Sequence, residues 1–167
     1  AVLLYAAVSG YRTLAAPDLF WYLRDARYLL ETGSIARQER FSYTAPGRPW
    51  TYPQGAGVIF YAVYALGGYA ALSWLGALAC LSATAPLLAI RPSLLSCAVV
   101  GVAVPLIAWP TPVRSDLFTI VLFAVFALLL FRGTAERYPW LPALLMAAWV
   151  NLHPGFVLGP VLIGVFL

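Results

Sequence analysis

The sequence predicts an all-α protein: a polytopic bundle of about six membrane helices with a long extracytoplasmic first loop that contains amphipathic juxtamembrane helices. Three observations predict it. Of 167 residues, 63% are hydrophobic and only 10% charged, whereas a soluble domain carries about 25% charged residues. The mean hydropathy is +0.87, which excludes a soluble globular domain and a disordered one. The few charges are also segregated: six of ten arginines (Arg12, Arg24, Arg27, Arg37, Arg40, Arg48) and four of six acids (Asp18, Asp25, Glu31, Glu39) precede position 49.

That block mixes both signs, so it is a polar island and not a nucleic-acid surface, which needs clustered cations without interleaved carboxylates. Arginine without any lysine is the usage of a GC-rich genome and points to a bacterium and its inner membrane. Cys80 and Cys97 stand in apolar runs and read as buried free thiols. The chain starts without Met and ends in an apolar run; both are expected of a piece of a longer protein with further membrane helices or subunits beyond it.

The elements follow in order. Residues 1–11 are apolar but shorter than the roughly 20 residues of a spanning helix, and read as the end of a first membrane helix. Residues 12–66 form the long loop. Within it Asp18 to Thr32 is an amphipathic helix: Pro17 and Asp18 suit its start, Gly33 its stop, and Leu19, Tyr22, Leu23, Ala26, Leu29 and Leu30 recur at helical spacing. Asp18, Tyr22 and Asp25 share a face. Residues 34–55 are rich in turn formers and aromatics and read as an ordered irregular loop at the membrane surface.

No charge occurs from Pro49 to Ile90, and Gly67-Gly68 divides that run. Gly55 to Leu66 is too short to cross and reads as an interfacial or re-entrant helix; Tyr69 to Ile90 is long enough. Arg91-Pro92-Ser93 ends it. Further crossings are expected at Leu94–Trp109, interrupted by Pro105, at Leu117–Phe131 and at Leu141–Leu152, with a last one after His153-Pro154-Gly155, so that 69–167 holds the remaining membrane helices. Pro86, Pro105, Pro142 and Pro160 lie within these segments, which therefore need neighbouring helices to satisfy the freed backbone groups.

Arg91 and the pair Arg132/Arg137 lie two crossings apart and share a side, which the positive-inside tendency makes cytoplasmic. The connection 109–116 and the turn 151–155 are then outside. The polar island joins them there if Gly55–Leu66 does not cross. If that segment crosses, the island is cytoplasmic and separates from the other two.

Acids at the edge of a hydrocarbon slab are costly, so each is a site hypothesis. Asp18 reads either as an N-cap or as a general base. Arg114 and Asp116 read either as a local ion pair with a second N-cap, or as a lipid-phosphate ligand beside a carboxylate that orients substrate or helps hold a divalent cation. His153, the only histidine, reads as a structural hydrogen-bonder or, with Asn151 and Gly155, as part of a site at an outer helix end. No metal-ligand spacing, P-loop, GxSxG elbow or dinucleotide fingerprint occurs.

Four stretches taken together, DLFWYLRDARYLLETGSI (18–35), FSYTAPGRPW (41–50), RSDLFTIVLFAVFALLLFR (114–132) and WVNLHPGF (149–156), resemble the N-terminal membrane module of bacterial GT-C glycosyltransferases. The resemblance covers nearly the whole chain, and its specificity lies in the combination. It implies an inverting enzyme that moves a sugar from a polyprenyl-phosphate donor to an acceptor hydroxyl at the outer membrane face. It makes Asp18 and Asp116 catalytic, with Mg or Mn as a possible cofactor held by those two acids. Arg114, Arg24, His153, Asn151 and Tyr22 then bind substrate or the lipid phosphate. Two positions depart from the family pattern: Tyr22 stands where a histidine follows the aromatic pair, and Pro53-Gln54-Gly55 stands where His-Glu-Trp follows the PW stretch. Both departures favour the rival reading, a non-catalytic lipid- or headgroup-binding or transport module. A small-solute channel ranks third, because no crossing carries a repeated polar stripe.

Overall fold

A computed structural model describes residues 1–11, 16–50, 54–108 and 113–166. Arg12, Pro53 and the 109–112 part of the predicted connection lie outside them. Helices α1 (Val2–Gly10), α2 (Pro17–Thr32), α3 (Gln54–Ile90), α4 (Leu94–Ala108), α5 (Asp116–Phe131), α6 (Thr134–Arg137), α7 (Trp140–Val150) and α8 (Leu158–Phe166) follow one another, with a 3-10 turn at Pro154–Val157 before α8. The protein is all-helical; among the described residues the only β pairing is one isolated bridge, Gln38 with Pro49.

α2 forms where its amphipathic pattern places it. Pro17 opens it, and Gly33 closes it in the left-handed conformation at φ +67°, where a glycine carries no Cβ penalty. Leu19, Tyr22, Asp25 and Ala26 are buried, but Leu30 is exposed. The expected apolar face thus stops short of the last turn of α2. Leu19 and Tyr22 meet Ala56, Phe60, Leu72 and Val113 in one core cluster.

The charge-free run forms a single long helix with a break where the two glycines stand. Gly67 (φ −161°) and Gly68 (φ +61°, ψ −150°) leave helical geometry, so the stretch 54–66 under α2 changes direction before the longer 69–90 segment. α3 is the one described helix long and apolar enough to cross a membrane. It is also the hub, packing against α1, α2, α4 and α5. Its contact with α1 is backbone to backbone: a Cβ on Gly10 would sit 2.6 Å from the Gly76 carbonyl oxygen, and one on Gly76 would sit 2.7 Å from that of Gly10. Small residues permit this approach in membrane bundles.

The other predicted crossings exist as helices close to their expected bounds, but they are short. α4, α5, α7 and α8 have 15, 16, 11 and 9 residues, and 16 residues reach only about 24 Å against roughly 30 Å of hydrocarbon. Pro142 and Pro160 fall in the first turns of α7 and α8, where proline costs no hydrogen bond; Pro86 and Pro105 are interior. Cys80 is buried as expected, whereas Cys97 on α4 is half-buried.

Two ends emerge. At one, Arg132 donates from its guanidinium to the Ala89 carbonyl, two residues before Arg91, so the late arginines do share an end with Arg91. At the other, α2, the entrance to α5 and the turn after α7 come together. The arrangement that would have separated the polar island from residues 113–116 and 153 does not occur.

Candidate functional site

The site grows from α2. An aromatic column, Tyr22 against Phe60 (5.5 Å between centroids) and Phe60 stacked on Phe118 (5.4 Å), fixes α2 over α3 and beside α5. The Tyr22 hydroxyl and Ser115 Oγ share a hydrogen bond of 2.7 Å. This clamp sets the register of α2 against the residues that enter α5. Asp18, one turn before Tyr22 on the same face, then meets Arg114: Nη2 to Oδ2 is 3.1 Å.

Asp18 is therefore not the N-cap of α2. Ala16 holds that position, and Asp18 lies inside the first turn. Nor is Asp116 the cap of α5, which Ser115 precedes; Asp116 is the first helical residue. The ion pair also differs from the local one expected, since Arg114 reaches across to Asp18 and not to its neighbour Asp116. Asp116 Oδ1 is buried without a hydrogen-bond partner among the described residues, a costly state for a carboxylate oxygen.

His153 completes the group. Thr119 Oγ1 lies 2.7 Å from its Nδ1, the Gly155 N–H donates to the same nitrogen at 3.0 Å, and Trp149 Nε1 donates to Thr119 Oγ1 at 2.9 Å. Because Gly155 has only a proton to give, Nδ1 is an acceptor and the ring proton sits on Nε2. The Thr119 hydroxyl, filled by Trp149 on its acceptor side, donates as well. Burial pushes the imidazole below its ordinary 6.5; nearby Asp116 opposes that, and Arg114 adds to it. The histidine is thus both the structural hydrogen-bonder and, near Asp116 and Arg114, a member of the group.

Three candidates fall elsewhere. Tyr22 is 6% exposed and its hydroxyl is bonded to Ser115, so it clamps α2. Asn151 donates its amide back to the Ala147 carbonyl, 2.8 Å away in the last turn of α7. Arg24 lies on another face of α2, its guanidinium 5.3 Å above the Phe41 ring, because six helical positions turn the side chain well away from Asp18. Of the expected set, Asp18, Arg114, Asp116 and His153 come together.

Sequence reading missed Ser115, Thr119 and Trp149. Thr119 is three residues beyond Asp116 on one helix face, a spacing that signals a neighbour, but nothing local tied Trp149 to it. Also unread was the burial of Asp25, which accepts a hydrogen bond from the Trp50 indole N–H.

Among the described residues no three His, Cys, Asp or Glu side chains stand close enough together to hold a metal ion, and Arg114 pairs with Asp18. No protein-family model matches the chain, and no curated protein or solved structure matches it either. Fold and site define an all-helical, strongly apolar protein with an acid–arginine–acid–histidine group where α2, α5 and the turn after α7 meet.

Proposed function

We propose that the protein is a membrane-embedded glycosyltransferase that moves a sugar from a polyprenyl-phosphate donor to an acceptor hydroxyl at the outer face of a bacterial inner membrane. The observation that carries the reading is the Asp18–Arg114 pair, joined across 96 positions of chain at 3.1 Å, with Asp116 and His153 beside it. In this reading α1, α3 beyond its glycine break, α4, α5, α7 and α8 are the membrane helices. Large apolar side chains left exposed along α4, such as Leu95, Val99, Val102 and Leu106, then face lipid or further helices, since a monomeric soluble protein rarely exposes so much.

The Asp18 carboxylate accepts the proton of the acceptor hydroxyl while its oxygen attacks the anomeric carbon and the bond from that carbon to the phosphate oxygen breaks. Negative charge gathers on the departing lipid phosphate. Arg114 moves from full pairing with Asp18 toward that phosphate, and His153 Nε2–H offers a second donor. Asp116 Oδ1 accepts from a sugar or acceptor hydroxyl, which fills its missing partner. No step requires a metal.

The test is Asp18→Asn in the native protein, assayed with a radiolabelled polyprenyl-phosphate sugar. Transfer should fall by about 10²- to 10⁴-fold, the usual contribution of a general base, with donor binding retained. A second reading, headgroup binding without chemistry, is favoured by one observation: Arg114 already occupies the carboxylate that would act as base. It gains if the wild-type protein binds the donor but transfers no sugar.

A further inference from the structure

A second polar feature lies on the other face of α2, apart from the Asp18 group. Pro17, Phe20, Trp21 and Arg24 at helical spacing, with Arg40 and Phe41 from the following loop, enclose a cleft of about 520 Å³, a volume in the range of small-molecule sites. Its walls are held in place. Trp21 packs edge-on against Trp50 (5.6 Å) and near Phe41 (6.4 Å), and Trp50 is anchored to Asp25. The guanidinium of Arg24 lies over Phe41 and that of Arg40 over Tyr28, at 5.3 and 5.2 Å.

The two arginines of the cleft stand outside the ion pairs of this region. Arg27, just beyond, is paired with Glu31 at 2.7 Å. Glu39, next to Arg40, is buried and accepts from the Phe41 and Ser42 N–H groups at 2.6 and 2.8 Å. Arg24 and Arg40 have no carboxylate partner among the described residues. Two arginines free of ion pairs, each over an aromatic ring, match an anion that carries an apolar body. Phe20 supplies the direction of that body: its ring also meets Tyr69 (6.4 Å), the residue directly after the Gly67–Gly68 break where the long apolar segment begins. An aromatic path therefore leads from the cleft to the part of α3 that fits hydrocarbon.

We infer that this cleft binds the headgroup of a phosphate-bearing lipid, the phosphate between Arg24 and Arg40 and the chain leaving over Phe20 and Tyr69. The inference reads binding, not transfer, and stands whether or not the Asp18 group is catalytic. The ligand chemistry has two sources, a bilayer glycerophospholipid or an isoprenyl phosphate.

The full chain in detergent would be titrated calorimetrically with dioctanoyl phosphatidylglycerol, farnesyl phosphate, dioctanoyl phosphatidylcholine and inorganic phosphate. One or both anionic lipids should bind, the tighter identifying the source, and Arg24→Gln with Arg40→Gln should weaken that binding about tenfold or more. Phe20→Ala should weaken it too. Arg48→Gln, an exposed arginine of the same loop outside the cleft, should not. Unfolding curves that match the wild type confirm that the variants are folded, and Arg24→Lys, which keeps charge but loses the fork, should show an intermediate loss if the double variant is unstable. Equal binding of phosphatidylcholine or inorganic phosphate, or an equal loss in Arg48→Gln, overturns the inference.

Discussion

Asp25 and His153 are ionisable groups whose burial sets opposite pH dependences. Burial pushes the Asp25 carboxyl above its ordinary 3.8; the Trp50 N–H pulls it back, and Glu39 adds to the rise. With the folded value raised, the contribution to stability is full below 3.8 and is lost as pH rises through the folded value. Asp25→Asn keeps an acceptor for Trp50 and has no charge to bury, so the variant should gain stability relative to wild type as pH rises above 3.8, read by thermal unfolding. A parallel pair of curves would contradict it. His153 behaves in the reverse sense. Its lowered value makes its contribution full above 6.5 and lost as pH falls through the folded value. Protonating Nδ1 would break the bond from Gly155, so the protection of the Gly155 amide against exchange, relative to its intrinsic rate at each pH, should fall on acidification in the wild type and not in His153→Gln. Tyr22→Phe removes the hydroxyl bonded to Ser115 and should cost about 1 kcal/mol, with a further loss of the proposed transfer because Arg114 directly precedes Ser115. Asp18 and His153 stood out in the sequence as polar residues at the edges of apolar runs, and both lie near Arg114 in the fold. The role of Tyr22 was not, because a hydrogen bond across 93 positions leaves no local pattern.

At the scale of elements, the longer helices were legible almost to their ends, since a charge, a glycine or a proline stands near each boundary, whereas the four-residue α6 (Thr134–Arg137) was not. Gly67-Gly68 marked the break in α3, and the structure gives the reason in the positive φ of Gly68. Gly68→Ala should destabilise by about 1–2 kcal/mol, seen as a lower midpoint on heating; no change would mean that the break tolerates an L side chain. What the sequence could not disclose was which helices touch. The close approach of Gly10 and Gly76 joins residues that hydropathy treats as filler. Gly76→Val should push α1 off α3 and cost about 1–3 kcal/mol, whereas Gly164→Val, where a Cβ meets nothing within 4 Å, should be near neutral. The aromatic–arginine cleft was equally hidden. Half of it lies on α2 at readable spacing, but Arg40 and Phe41 come from an irregular loop whose fold depends on the Glu39 carboxylate and on Gly47 at φ +76°.

For the molecule as a whole, the all-helical class was legible from composition alone, while the spanning of each short helix belongs to the proposal. The account depends most on sidedness: α2 with its loop, the entrance to α5 and the His153 turn form one end, and Arg91 with Arg132 form the other. A variant lacking Cys80 and Cys97 would carry a single cysteine at Ser34, on the loop after α2, or at Thr134, beside Arg132. Both would be treated with an impermeant thiol reagent on intact cells and after lysis. The account predicts labelling of Ser34→Cys from outside and of Thr134→Cys only after lysis. Labelling of Ser34→Cys only after lysis would put the Asp18 group in the cytoplasm and contradict a transferase acting at the outer face.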